Sequence, residues 1–350
     1  MKATLSSFII LCLIFTLFLP GLKISARASP SIIYVPTDFP TIQEAINAAQ
    51  DGDTIFVYNG TYYENVVVNK TVSLIGESQE NTFIRAGNAS INIIDVTSDN
   101  VNISGFHVNG ANGSLPMACG FYLRGVSNVS ILHSYVTNNT IGICVETSNT
   151  CTISNNTVFS NYFGIDLRVG NTYNTIAGNN ASSNGYYGII LWSGSYYNVI
   201  VQNTFMNNPH GVTLGYSDYN TIAYNDILEN DMGVEIQRTS NNNTFHHNNF
   251  VGNTEQADGS YINESTNTWD DGYPSGGNYW DDFITRYPDA AEIDASGLWN
   301  TSYIIDANNT DHYPLMNQSI IPESPSLLVL PLFMITTLLA VIVYKRKYSY

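Results

Sequence analysis

The chain repeats itself. Ile131, Ile153, Ile176, Ile200, Ile222 and Phe245 fall into one column at steps of 22 to 24 residues, the length of one coil of a solenoid. Other positions align on it. Three residues later come Ser134, Asn156, Asn179, Asn203, Asn225 and Asn248, and five later Val136, Val158, Ala181, Phe205, Ile227 and Phe250. Eight later come Asn139, Asn161, Asn184, Asn208, Asn230 and Asn253, and the first five of these are followed by Gly142, Gly164, Gly188, Gly211 and Gly233.

The columns predict an all-β, right-handed parallel β-helix. Asn tolerates positive φ and bonds its own backbone, so these residues are expected at corners between short strands. Stacked in register, their amides can also bond one another along the coil axis. The glycines are expected to allow the next sharp bend. One and three residues after each glycine the side chain is apolar, as in Ile143 and Val145 or Ile165 and Leu167, so alternate residues face inward. Helical repeats do not fit, because Gly and Asn interrupt every window. A β-sandwich would not require six units with matching columns.

An open terminal coil is an exposed sheet edge. Thr41-Ile42-Gln43-Glu44 has the form of a capping box, and Ile42, Ala45, Ile46 and Ala49 share a helical face, which predicts an N-terminal capping helix. The first strands are expected at residues 55–58, 66–68 and 72–75.

The ends carry a different pattern. Lys2, an apolar run from Phe8 to Leu19 and Ala26-Arg27-Ala28 predict a signal peptide at 1–28. The expected divisions that follow are the capped β-helix at 29–265, its C-terminal extension at 266–318 and a linker at 319–326. A C-terminal transmembrane helix is expected at 327–344, with a basic tail at 345–350 that orients the body outward. The formal net charge is -17, and only Lys70, Arg85, Arg124, Arg168, Arg238 and Arg286 are basic between Ser29 and Tyr344. A nucleic-acid partner is therefore not expected. Cys119, Cys144 and Cys151 would remain after removal of a leader, and one disulfide plus one buried thiol is expected in an oxidising compartment. Sequons recur from Asn59 to Asn317, giving an exported chain sites for glycosylation.

Thr41-Ile42-Gln43-Glu44-Ala45-Ile46, Gly52-Asp53-Thr54-Ile55, the repeats, and Gly277-Asn278-Tyr279-Trp280-Asp281-Asp282 through Tyr313-Pro314-Leu315 together resemble the NosD-like group of β-helix proteins and the carbohydrate-binding and sugar-hydrolysing β-helices grouped with it. The resemblance implies a pectin lyase-like fold and an extracytoplasmic location. That group includes copper-linked accessory proteins, lyases, epimerases and surface proteins.

If the alternation holds, Tyr122, Cys144, Asp166, Ile190, Thr213 and Glu235 form one outward column, and Arg124, Glu146, Arg168, Trp192, Gly215 and Gln237 another. Arg124, Glu146 and Arg168 would then make an alternating charge ladder. Glu146, Asp166 and Arg168 are the catalytic candidates, since diagonal neighbours on adjacent strands lie within the separation that glycosidases require; ion pairing is the preferred reading. Binding candidates are Tyr122, Arg124, Trp192 and the column Tyr173, Tyr197 and Tyr219, whose rings can also simply pack. No cofactor or metal site is predicted. Asp289 to Gly297 lacks calcium-loop spacing, and His246 and His247 are expected on opposite faces of a strand. A copper site from Cys119, Cys144 and His133 is weighed and set aside. The expected role is a membrane-anchored surface module that binds glycans or envelope components; the alternative is a polysaccharide lyase or glycoside hydrolase.

Overall fold

The computed structural model describes residues 29–113 and 118–320. The leader at 1–28, the anchor at 327–344, the tail at 345–350 and most of the linker lie outside them. Among the described residues no helix is long and apolar enough to cross a membrane.

Each coil contributes one strand to each of three parallel sheets, which hold 10, 10 and 9 strands. One complete coil runs through Thr152–Ser154, Thr157–Phe159 and Phe163–Arg168. The third of these belongs to the sheet with the longest strands. The register is the one the columns predict: Ile131 pairs with Ile153, Ile153 with Ile176, Ile176 with Ile200 and Ile222 with Phe245. All of these side chains are fully buried, each stabilising the coil by about 1.5–3 kcal/mol.

The asparagines act differently from the expectation. The left-handed corner falls one residue earlier, at His133, Asn155, Gly178, Gln202, Tyr224 and His247, with φ between 43° and 64°. Asn156, Asn179, Asn203, Asn225 and Asn248 point inward and are almost wholly buried. Their amides bond in series, Asn156 to Asn179 and Asn179 to Asn203 each at 3.0 Å. Every ladder oxygen also accepts a backbone N–H of the preceding coil, as Asn203 Oδ1 does from Asn179 N. An Asn at this position therefore satisfies corner backbone groups that no strand can reach. A third ladder, Asn174, Asn198, Asn220, Asn243 and Asn267, occupies the remaining corner. It escaped the sequence reading although it stands two residues before the aligned isoleucines.

The glycines also have another cause. Gly142 has no positive φ; a Cβ there would stand 2.7 Å from Gly164 O and 2.6 Å from Val158 Cγ1. Neighbouring coils approach too closely at this corner for any side chain.

At the N-terminal end Ile42–Ala48 is helical, with Ile42, Ala45 and Ile46 buried. Thr41 Oγ1 accepts Glu44 N at 3.2 Å, while the carboxylate of Glu64 accepts Ile42 N and Gln43 N, each at 3.0 Å. A strand the sequence reading lacked, Ile32–Val35, pairs in parallel with Thr54–Val57. At the other end Trp269 stacks on Phe245 at 4.2 Å and Trp280 on Phe250 at 4.3 Å, and Tyr303 covers Trp280 at 4.1 Å. These rings replace the next coil and close the apolar core.

Candidate functional site

The outer wall of the long-strand sheet has the predicted columns. Tyr122, Cys144, Asp166, Ile190, Thr213 and Glu235 are register partners in succession, and Arg124, Glu146, Arg168, Trp192 and Gly215 form the parallel column. A further outward column precedes the glycines: Ile141, Phe163, Tyr187, His210 and Met232. Counting the alternation backwards across each glycine would have revealed it.

These columns frame a groove of about 380 Å³ lined by Phe163, Asp166, Arg168, Val169, Tyr187, Ile190, Trp192 and Gln237. Its floor is aromatic and aliphatic. Gln237 Nε2 donates to Tyr187 Oη at 2.9 Å and to Glu235 Oε2 at 2.8 Å, which fixes the far rim. His210 Nδ1 lies 3.0 Å from the same carboxylate.

The charge ladder is not bonded as expected. Arg168 turns back onto Asp166 of its own strand, with Nε at 3.0 Å and Nη2 in closer contact. Glu146 instead accepts the hydroxyl of Tyr122 at 2.8 Å, and the charge of Arg124 acts on Asp95. Residues two apart on a strand share a face, so Asp166, only 4% exposed, obtains its counter-charge locally. Burial raises the pKa of Asp166, with Arg168 opposing the shift and Glu146 adding to it. Burial raises that of Tyr122 too, reinforced by Glu146.

Of the binding candidates, Trp192 lines the groove with Asp166 and Arg168; Tyr122, Arg124 and Glu146 lie outside its lining. Tyr173, Tyr197 and Tyr219 form a separate exposed stack, with centroids 5.3 and 5.1 Å apart and nearly parallel planes. Their inner faces are spent on one another.

A larger hollow, about 630 Å³, lies beside the C-terminal extension and carries Glu255, Asp258, Asp281, Asp282 and Arg286. Its principal carboxylates hold the fold together: Asp281 accepts Gly252 N at 2.6 Å, and Asp282 accepts Tyr303 Oη at 3.1 Å. The smaller groove has the aromatic floor that a ligand needs.

The expected disulfide is absent among the described cysteines: Cys119, Cys144 and Cys151 are buried thiols. Cys144 occupies the outward column while Cys151 enters the core, and burial pushes both thiols up. His133 is exposed at a different corner, so it does not complete a site with Cys119 and Cys144. Within Asp289 to Gly297, Glu292 Oε1 accepts Gly297 N at 2.8 Å.

A capped parallel β-helix with a ligand-sized groove on the sheet of longest strands defines a solenoid protein of the pectate lyase-like architecture. The chain belongs to the NosD family, described as "Periplasmic copper-binding protein (NosD)", whose profile matches residues 46–284. It is 35% identical over 105 residues to a "Cell surface glycoprotein" of Methanothermus fervidus, a match covering 29% of this chain and 16% of that protein. Among solved structures it is similar to pectate lyase Pel9A, with TM-score 0.51, 16% identity and coverage of 86% of this chain and 91% of that one. It is also similar to the Dettilon tailspike protein gp208, with TM-score 0.50, 16% identity and coverage of 63% and 51% respectively. At these identities the structural likeness concerns the fold alone.

The family description raises the question of copper, which takes imidazole and thiolate ligands. The described residues contain no group of three or more His, Cys, Asp or Glu that could hold an ion. His246 and His247 fit part of such a site. They stand together rather than on opposite faces, with Nδ1 atoms 2.9 Å apart. The reason is local: the strand ends at His246, and His247 takes φ 55°, which swings its ring back beside its neighbour.

Proposed function

We propose that this chain is an exported, surface-displayed module of the NosD family that holds a weakly charged glycan, or a glycan-bearing envelope component, in the groove around Trp192. The observation that carries the reading is the groove's composition. Trp192, Tyr187, Phe163 and Ile190 supply apolar faces, while the Asp166–Arg168 pair and Gln237 supply polar groups at the rim. Sugar rings need both, an aromatic platform for their C–H face and fixed hydrogen-bonding groups for their hydroxyls. Because Asp166 neutralises Arg168, the groove favours neutral over strongly acidic chains.

The periplasmic description of the family and the surface glycoprotein relative support an extracytoplasmic location. The leader at 1–28 and the anchor at 327–344 belong to the same proposal. Purified protein is to be applied to arrays of neutral and acidic glycans. Retention of neutral glycans by the natural chain, lost in Trp192→Ala, supports the reading; equal retention by both sinks it.

A second reading, a carbohydrate-active enzyme, rests on Asp166. Its carboxyl is raised by burial and lines the groove, and Glu146 stands diagonally across on the neighbouring strand, about 7–8 Å away by sheet geometry. A raised acid near a second carboxylate is the pairing used in glycoside hydrolysis. Release of reducing ends from a neutral polysaccharide, or of unsaturated ends from a uronic-acid polysaccharide, abolished in Asp166→Asn, would establish it. No release by the natural chain would remove it.

A further inference from the structure

We infer that the exposed row Tyr173, Tyr197 and Tyr219 extends the Trp192 groove into a track for one long neutral polysaccharide chain, the row taking sugars that the groove has no room for. The inference rests on the glycan reading of the groove and adds to it the length of the ligand and a second contact surface.

The three tyrosines stand where the fold does not ask for them. On successive coils the same left-handed position of the corner after the long strands is held by Asn128, Thr150, Tyr173, Tyr197, Tyr219 and Asn242, with φ between 53° and 59°. Asn tolerates that conformation, whereas a bulky ring is held there at a cost. Asn128, Thr150 and Asn242 show that the corner closes without an aromatic side chain. The tyrosines follow Arg168, Trp192 and Gly215 by five, five and four residues, and these three are register partners at the groove. A local preference overridden only on the coils that carry the groove marks function rather than packing.

Groove and row are continuous. Val169 lines the groove and is exposed. Tyr216, also exposed, meets Trp192 edge-on at 6.0 Å. Both occupy the preceding left-handed position of this corner. Beyond them Tyr173, Tyr197 and Tyr219 are 61%, 45% and 49% exposed. An apolar edge of this extent left in water marks a binding surface.

The stack decides what the row recognises. Its centroids are 5.3 and 5.1 Å apart and its planes lie within 15° of parallel, so the rings offer solvent their edges rather than their faces. One phenol therefore follows another at about the coil spacing of ~4.8 Å, close to the advance of one sugar unit in an extended chain. None of the three hydroxyls bonds another described residue, and each can donate and accept. The charged side chain of these corner loops, Asp218, is spent on Asn241 N at 2.6 Å. Uncharged donors and acceptors beside the mutually neutralised Asp166 and Arg168 suit a neutral polymer over an acidic one. The groove, at about 380 Å³, is near the lower end of ligand pockets and takes a short fragment. A longer chain continues past it, and the row lies beside its exit.

The test applies the purified chain to an array of neutral glucan, mannan and galactan fragments graded from two to ten sugars. Affinity of the natural chain is expected to rise about tenfold or more from the shortest retained fragment to the longest. Tyr173→Phe, Tyr197→Phe and Tyr219→Phe combined keep the stacked rings and remove the hydroxyls. This variant should hold short fragments as the natural chain does and lose most of the gain with length. Tyr197→Asn, which installs the residue type of Asn128 and Asn242, gives the same reading independently. Each variant is checked for unchanged circular dichroism, and Trp192→Ala should lose short and long fragments alike. Affinity independent of length, or a gain with length that either tyrosine variant keeps in full, overturns the inference and leaves the groove reading standing. No retention of any fragment by the natural chain removes both. A dimer in sedimentation velocity that Tyr197→Asn dissociates, with the gain in length unchanged, would assign the row to a second copy and overturn the inference as well.

Discussion

The indole of Trp192 lies over Gly215, its register partner one coil on, so closely that a Cβ on Gly215 would stand 2.2 Å from the ring. The glycine gives the tryptophan its seat in the groove. Gly215→Ala should displace the ring, which can swing outward, so stability should change by no more than about 1 kcal/mol. Glycan retention should fall as far as in Trp192→Ala. Retention at the natural level would show that the seat of the ring does not matter.

The buried asparagine ladders predict a position-dependent cost. Asn203 donates to Asn225 Oδ1 and Ile176 O and accepts from Asn179, so Asn203→Ala leaves several buried groups unpaired. A loss of about 2–4 kcal/mol is expected, measured by denaturant unfolding. Asn203→Asp should not rescue it, because the carboxylate lacks the donors. Asn308→Ala, at an exposed position, should cost far less.

Asp311 should make the C-terminal closure pH-sensitive. Burial raises its pKa to about 7, with hydrogen bonds from Asn278 N, Trp280 Nε1 and Tyr313 N opposing the rise. The unfolded value is about 3.9, so the native state binds the proton more tightly between the two values. This contribution is complete below about pH 4 and is lost as the pH rises through 7, with a magnitude on the order of 3–4 kcal/mol. Urea midpoints followed by tryptophan fluorescence should be lower at pH 8 than at pH 5, and Asp311→Asn should flatten that difference. An unchanged slope in the variant would assign it to other groups.

The thiols should be inert while the chain is folded. Cys144 and Cys151 are buried and their pKa values raised, and Cys119 is buried as well. Alkylation by iodoacetamide at pH 8 should be at least about a hundredfold slower in native protein than in urea, because thiolate and access are both withheld. Rapid native labelling of Cys144 would show that the outer wall opens in solution.

The period of the aligned isoleucines was sufficient to fix the parallel register, since a slip of one residue would turn every apolar side chain out of the core. The same period places Trp192 beside Arg168 on the neighbouring strand. The capping helix was legible from Thr41 and its apolar stripe, although the carboxylate of Glu64 that caps its first N–H groups was not, because it comes from a distant loop.

What the tertiary structure decided was where side chains point once the corners close. The left-handed residue at each corner is the one before the asparagine, a choice dictated by backbone groups on the preceding coil. Arg168 chooses Asp166 over Glu146 because Asp166 is buried and demands a neighbouring charge. His246 and His247 come together because one φ angle changes sign. The sequence determined the columns, which repeat at a fixed period and act through local alternation. Partner choice within and between columns depended on non-local packing and solvent access, which no spacing encodes.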